Sequence, residues 1–304
     1  MARIVIVGDR DSGKTTFLTL VYTTQVKLGS DAADDFRFHV AIDSIDEVSG
    51  VFQQLMSGGF PDAAAKEGIH GIQFHLGYRT SGSRFFSRLR RQGWAGGSSA
   101  SLDFLILRDL EEEVSRFRKG SSLTNVALRD VLESDGIAIL VDSTKLSMTS
   151  DEQSPGPMEA YDVAVESLLA AMLRSRGPGG QSHLHPIFVF TKFDSVDPKA
   201  LRAANVGDAP PEAEKAGPRS TYAETILDRH LPKTMALVRS RETSGRKFAK
   251  PSFFFSGVRT EPAAPGRRPK VLLRASKGGR WEPDYPAHEY LSLLETLSKI
   301  AASR

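Results

Sequence analysis

Short apolar runs alternate with longer amphipathic segments along the chain. Short apolar runs bounded by turn residues are typical of strands in a buried sheet, and they predict six strands here. These strands are Ile4–Val7, Ile72–Tyr78, Leu102–Leu107, Ile137–Val141, Pro186–Phe190 and Phe253–Phe255. In Ile72–Tyr78 apolar residues alternate with Gln73, His75 and Gly77, so we expect one buried face and one solvated face.

The longer segments have the 3.6-residue spacing of amphipathic helices. Predicted helices are Phe17–Leu28, Ser44–Met56, Val114–Leu132, Met158–Arg176 and Tyr222–Ser240. A last helix lies near the C-terminus, and we expect its apolar stripe to consist of Leu291, Leu294, Leu297, Ile300 and Ala301.

Strands that alternate with helices predict an α/β fold in three layers, with helices on both faces of a mostly parallel six-stranded sheet. Ile72–Tyr78 and Leu102–Leu107 have no clear helix between them, so we expect a hairpin with one antiparallel edge strand. We predict a single domain over residues 1–304. Insertions are expected near residues 30–70, 79–101, 199–219 and 259–280, because long stretches without regular structure are unusual in a compact domain.

Composition narrows the class of protein. Of the 304 residues 40% are hydrophobic, and a net charge of +3 is too small to indicate a nucleic-acid partner. The chain has no cysteine, which excludes disulfides, thiol catalysis and cysteine-linked lipid anchors. Ala2 stands where myristoylation would need glycine, no apolar run approaches a membrane span, and the first strand leaves no room for a signal peptide. We expect a cytoplasmic protein without a membrane anchor.

A complete G-x-x-x-x-G-K-[ST] motif follows the first strand and opens the first helix. Its residues are Gly8, Asp9, Arg10, Asp11, Ser12, Gly13, Lys14 and Thr15, followed by Thr16. The two glycines let the backbone turn so that N–H groups face an anion, and the helix adds its positive end. Lys14 would reach the β- and γ-phosphates and the Thr15 hydroxyl would ligate Mg²⁺. This motif therefore predicts a nucleotide-binding site.

A second motif, Thr191-Lys192-Phe193-Asp194, directly follows a late strand, where open parallel sheets bind ligands. The Asp194 carboxylate can accept hydrogen bonds from guanine N1–H and the 2-amino group together. Adenine has an acceptor at N1 and no 2-amino group, so Asp194 would reject it. The alternative is a surface turn with a solvated aspartate.

With both motifs in this order, the chain resembles the Ras-like small GTPases of the P-loop superfamily, as a divergent, prokaryotic- or archaeal-looking member with insertions and altered switch motifs. Ser256, Gly257 and Val258 follow the strand Phe253–Phe255 where that family has a Ser-Ala-type loop whose backbone contacts guanine. The resemblance implies GTP or GDP with Mg²⁺, and a switch that recruits protein effectors and responds to a GTPase-activating protein.

The chain departs from the family in its switches. Asp109 matches the aspartate of the D-x-x-G motif, which implies a role in Mg²⁺ binding, but Glu112 replaces the glycine. Glu113 stands where many members carry the glutamine that orients the attacking water, so Glu113 joins Lys14 as a candidate catalytic residue. No threonine lies between Thr24 and Thr80 to serve as the Mg²⁺ ligand of the first switch.

The chain offers only weak candidates for the residues that the switches lack. Ala63–Ala65 occupy the expected place of the switch threonine, and Ser57 is the nearest hydroxyl candidate. Arg37, Arg79 or Arg84 could act as an arginine finger, or each could be a solvated surface residue.

Residues 84–94, RFFSRLRRQGW, interleave arginines with aromatic residues. A membrane surface or nucleic acid could bind such a segment, but we favour a helical insert packed on the core or a protein contact.

Three functions follow from these residues. The first is a GTP/GDP switch with slow intrinsic hydrolysis that regulates a protein partner. The second is a scaffold that binds GTP or GDP without hydrolysis, and the third is a P-loop ATPase or kinase in which T-K-F-D is incidental. The sequence leaves open whether two copies form a homodimer.

Overall fold

The computed structural model describes residues 2–31, 36–40, 42–60, 71–79, 97–107, 110, 125–146, 158–176, 183–212, 215–240, 248–261, 269–275 and 281–302. The strands within these ranges are Ala2–Gly8 (β1), Phe36–Val40 (β2), Gly71–Arg79 (β3), Gly97–Ile106 (β4), Gly136–Asp142 (β5), His185–Thr191 (β6), Ser252–Phe255 (β7), Leu273–Ala275 (β8) and Trp281–Pro283 (β9).

The described strands form one seven-stranded sheet in the order β2-β3-β4-β1-β5-β6-β7 and one antiparallel pair, β8-β9. Five neighbouring strands, from β4 to β7 across the sheet, are parallel. The fold is therefore mixed α/β with a mostly parallel sheet. This confirms the predicted fold class at that level.

The predicted hairpin is present, because β3 pairs antiparallel with β4 and Ile72 lies opposite Phe104. Two details of the prediction are wrong. The main sheet has seven strands instead of six, since β2 adds a strand beyond β3. The antiparallel strand β3 consequently lies one position inside the edge, and β2 runs parallel to the rest of the sheet.

Eight α-helices lie within the described ranges: Lys14–Asp31 (α1), Ile42–Met56 (α2), Asn125–Leu132 (α3), Glu159–Ser175 (α4), Pro198–Ala203 (α5), Ala216–His230 (α6), Pro232–Arg239 (α7) and Ala287–Ala302 (α8). None of them is long and apolar enough to cross a membrane.

The central strand β5 buries both of its faces between helices. On β5, Ile137 and Ile139 belong to a core shared with α4, α6 and α7, whereas Ala138 and Leu140 belong to a core shared with α1 and α8. Every residue of β5 is buried, which explains its continuous apolar sequence.

Two helix predictions need correction. The predicted helix Tyr222–Ser240 is two helices, α6 and α7, because Pro232 cannot donate a helical hydrogen bond and instead occupies the first turn of α7. In α8 Leu291 is exposed, and Tyr290 and Leu293 are buried beside Leu294 and Leu297.

Candidate nucleotide site

The phosphate motif lies at the point where the sheet reverses its winding. The chain leaves β1 towards β4 on one side, whereas β5 leads towards β6 on the other. β1 and β5 are neighbours, with Gly8 opposite Leu140 in the register. Ligands of open α/β sheets bind in the crevice outside the carboxyl ends of such a strand pair. The loop after Gly8 occupies that place.

The loop turns through two residues in the left-handed region, Asp11 with φ of 60° and Gly13 with φ of 82°. Ser12 N–H donates to Asp9 O at 3.1 Å, and Phe17 N–H makes the first helical hydrogen bond, to Gly13 O at 2.8 Å. An α-helix has no acceptor of its own for the N–H groups that precede this bond. The start of α1 therefore has the donors and the positive dipole end that suit a phosphate.

Gly8 is required by close packing within the loop. A Cβ atom built on Gly8 would lie 2.3 Å from Ser12 Oγ and 3.1 Å from Leu140 Cβ. Ser12 is buried, and its Oγ has no hydrogen-bond partner among the residues that the structure describes. An unpaired buried hydroxyl is costly, so the loop retains an unused hydrogen-bonding group.

Lys14 folds back across the loop. Its Nζ donates to Gly8 O at 2.6 Å and to Asp9 O at 2.8 Å, which holds the ammonium group over the first two residues of the motif. Thr15 and Arg10 are exposed, and Thr16 is partly buried. The glycine-dependent turn, the helix N-terminus and a lysine bound to the loop fit a polyphosphate chain.

The Thr191–Asp194 motif turns directly after β6. Lys192 has a left-handed backbone with φ of 51°, and Phe193–Ser195 form a short 3₁₀ helix. Phe193 N–H donates to Ser256 O at 2.9 Å and Ser256 N–H donates to Phe190 O at 2.7 Å. These hydrogen bonds join the loops that follow β6 and β7.

Asp194 and Gly257 are packed so closely that a side chain at position 257 has no room. A Cβ atom on Gly257 would lie 2.4 Å from Asp194 Oδ1, and the same oxygen accepts a hydrogen bond from Val258 N–H at 3.2 Å. Burial raises the pKa of Asp194 above its ordinary value of 3.8, and its hydrogen bonds oppose this. The predicted base-binding residues thus lie together in one loop pair.

The phosphate loop, Gly8–Thr15, and the Thr191–Asp194 loop, which we call the base loop, are adjacent. A Cβ atom on Gly13 would lie 3.9 Å from Thr191 Cβ. Between them, Asp142 at the end of β5 accepts hydrogen bonds from Lys192 Nζ at 2.7 Å and from Thr144 Oγ1 at 2.6 Å. The carboxyl ends of β1, β5 and β6 therefore carry one connected polar surface.

The C-terminal helix supports the base loop from beneath. Glu289 on α8 forms a buried ion pair with Arg219 and accepts a hydrogen bond from Phe255 N–H at 3.0 Å. Tyr290 OH bonds to Ser256 Oγ, and burial raises the pKa of this tyrosine well above its ordinary value. These contacts fix the end of β7, from which Ser256, Gly257 and Val258 extend.

Several predicted residues lie outside the described ranges: Asp109, Glu112, Glu113, Ala63–Ala65, Arg84 and the rest of the basic segment to Trp94. Of the two predicted Mg²⁺ ligands, the structure therefore places Thr15 alone; its hydroxyl is the type of oxygen that Mg²⁺ accepts. The described residues contain no group of three His, Asp or Glu side chains arranged for a metal. Ser57 Oγ donates to Gln54 O at 2.8 Å, at the turn after α2.

Sequence reasoning did not identify Asp142, Lys145, Glu289 or Tyr290. Asp142 could have been found, since an aspartate followed by Ser143 and Thr144 at the end of an apolar strand is typical of a helix cap, and its side chain does cap the 3₁₀ helix Ser143–Lys145. Glu289 had no local indication.

No family model and no curated protein sequence matches this chain. Among solved structures, it is similar to the S. cerevisiae Ski7 GTPase-like domain bound to GDP and inorganic phosphate, with a TM-score of 0.38, 11% identity and coverage of 84% of this chain and 42% of that one. It is also similar to the signal recognition particle receptor SRb-GTP/SRX complex from Chaetomium thermophilum, with a TM-score of 0.38, 10% identity and coverage of 84% and 90%. Similarity this low is no evidence of function, so the function of this chain is inferred from its own residues.

Proposed function

We propose that this chain is a guanine-nucleotide-binding protein that hydrolyses GTP slowly and acts as a GTP/GDP switch for a protein partner. The observation that carries the proposal is that the Gly8–Thr15 loop after β1 lies next to Thr191, which begins the loop containing Asp194, at the carboxyl ends of the parallel strands. A phosphate-binding loop close to the Asp194 carboxylate suits a nucleotide whose base offers two neighbouring donors.

Each residue has a defined role in this proposal. Lys14 and the N–H groups at the start of α1 bind phosphates, Thr15 ligates Mg²⁺ together with Asp109, and Asp194 accepts from the guanine edge. Lys192 joins the Thr191–Asp194 loop to the end of β5 through Asp142. A bound Mg²⁺ would neutralise phosphate charge during hydrolysis. Protein effectors and a GTPase-activating protein are the partners that a switch requires.

Slow hydrolysis is proposed because the sequence departs from the family at Glu112 and Glu113 and has no switch threonine. The same departures favour a second candidate, a scaffold that binds GTP or GDP without hydrolysis. An ATPase or kinase is the third, and it would leave the packing of Asp194 against Gly257 without a purpose.

A nucleotide-competition titration combined with phosphate release distinguishes these functions. We expect GTP and GDP to bind at least ~100-fold more tightly than ATP, because adenine has no donors to pair with the Asp194 carboxylate that it would cover. Phosphate release over hours supports the switch, and its absence with or without added activators favours the scaffold. Equal affinity for ATP and GTP would contradict both.

Lys14→Ala tests the site itself. We expect this variant to lose GTP affinity by ~100-fold or more while its melting temperature without nucleotide changes little, since Lys14 is not part of the core. Lys215→Ala, on an exposed ion pair with Glu212, is the matched control. A Lys14→Ala protein that binds GTP as well as the wild type would refute the site assignment.

A further inference from the structure

The second position of the phosphate motif carries a carboxylate. Asp9 organises the loop with all of its oxygen atoms: its carbonyl accepts from Ser12 N–H at 3.1 Å and from Lys14 Nζ at 2.8 Å, and its Oδ1 accepts from Arg10 N–H at 2.6 Å. Its Oδ2 forms an ion pair with Lys145 Nζ. Asp9 therefore connects Arg10, Ser12 and Lys14 of the loop with Lys145.

Lys145 contacts Asp9 from the segment that follows β5. It ends the 3₁₀ helix Ser143–Lys145 after β5, which Asp142 caps with a 3.0 Å hydrogen bond from Thr144 N–H. Asp142 also holds Lys192, so two carboxylate–lysine pairs alternate across the ends of β1, β5 and β6. The side chains of Lys145 and Asp9 are only 31% and 22% exposed, so water screens this pair incompletely.

A carboxylate within a phosphate-binding loop poses an electrostatic problem. Unpaired, it would repel the phosphates, and it would also attract the ammonium of Lys14, which already contacts the carbonyl of the same residue. An ion pair with Lys145 relieves both effects: it neutralises the carboxylate and leaves Lys14 bound to Gly8 O and Asp9 O.

We propose that Lys145 is a positioning residue of the nucleotide site, which neutralises Asp9 and thereby allows Lys14 and the loop to bind a nucleoside triphosphate. This inference rests on the proposed function. It adds the residues that let this particular loop accept a polyanion, and it makes the effect of Lys145 depend on the charge of Asp9.

The test is a double-mutant cycle on the full chain with GTP and GDP as probes. Lys145→Met should weaken GTP binding roughly tenfold, and GDP binding less, because the triphosphate carries more negative charge. Higher salt should reduce the difference, since screening weakens repulsion. Lys145→Arg should stay within about threefold of the wild type, because it keeps the charge.

Asp9→Asn in the Lys145→Met background should restore GTP binding to within about threefold of the wild type, since Asn keeps an acceptor for Arg10 N–H and loses the charge. Lys215→Met is the matched control for loss of a surface lysine. If Lys145→Met alone does not fold, Asp9→Asn is compared with the double variant Asp9→Asn, Lys145→Met. We expect these two proteins to bind GTP with equal affinity.

The outcomes separate the two proposals. If the wild type binds neither GTP nor GDP, the proposed function fails, and this inference fails with it. If the wild type binds both and Lys145→Met binds them equally well, this inference alone is overturned. The same holds if Asp9→Asn leaves the defect of Lys145→Met uncorrected, because Lys145 would then act by another route.

Discussion

Asp194→Asn should exchange guanine preference for xanthine preference. In the wild type Asp194 Oδ1 accepts from Val258 N–H at 3.2 Å. The asparagine Oδ1 can accept the same hydrogen bond, so the packing against Gly257 is retained. The other oxygen becomes an NH₂ donor. Ser195 Oγ donates to that oxygen at 3.2 Å, and a serine hydroxyl can turn to accept instead. The substitution therefore changes the chemistry presented to the base with little change in the loop.

The magnitude follows from the hydrogen bonds that change. A hydrogen bond to a charged group contributes about 1.5–3 kcal/mol, and the new NH₂ group would face the guanine 2-amino group, donor against donor. We expect a loss of about 3 kcal/mol for GTP, which is ~100-fold in affinity. Xanthine carries an oxygen at the 2-position, which can accept from the new NH₂ group, so XTP affinity should rise.

The assay is a titration of GTP, XTP and ATP against the wild type and Asp194→Asn at equal ionic strength. Asp197→Asn is the matched control, because Asp197 is an exposed cap in the same segment and accepts from Lys199 N–H at 2.8 Å. The reasoning is refuted if Asp194→Asn keeps wild-type GTP affinity. It is also refuted if a folded Asp194→Asn protein loses GTP and XTP equally, since Asp194 would then serve only the loop.

Two further predictions concern stability. Asp162 on α4 accepts hydrogen bonds from Lys233 N–H and Thr234 N–H, each at 2.9 Å, and so caps α7; Asp162→Ala should lower the free energy of unfolding by about 2 kcal/mol in urea titrations, and an unchanged midpoint would contradict this. Burial lowers the pKa of His230 from 6.5 to about 4. Between these values the unfolded chain binds a proton that the folded chain does not, so the free energy of unfolding should fall as pH is lowered through this window. His230→Gln should flatten that part of the pH profile, and an unchanged slope would rule His230 out as its cause.

Local patterns predicted most of the sheet, because apolar runs in buried parallel strands need no partner to be recognised. β2 alternates apolar and polar residues as β3 does, but it is only five residues long and its strand conformation depends on pairing with β3. The break at Pro232 was predictable from proline chemistry alone. In the apolar stripe predicted for α8, Leu294, Leu297, Ile300 and Ala301 are buried, and the error is confined to Leu291, beside which Tyr290 is the buried residue.

The candidate site divides in the same way. The phosphate loop and the Thr191–Asp194 motif are each one continuous stretch of sequence, so residue type and spacing predict their chemistry. Lys145 and Asp9 are 136 positions apart, and Glu289 and Arg219 are 70 apart. Pairs of this kind are set by the order of strands and the packing of helices, which no local pattern contains.

The dependence of the base loop on α8 affects how the site is acquired during synthesis. The phosphate loop emerges from the ribosome well before Glu289 and Tyr290, which hold Phe255 and Ser256. A nascent chain that lacks α8 therefore has a phosphate loop but an unsupported base loop, with Arg219 deprived of its carboxylate. A nucleotide selective for the assembled site would by mass action stabilise chains that already contain α8 over chains that still lack it.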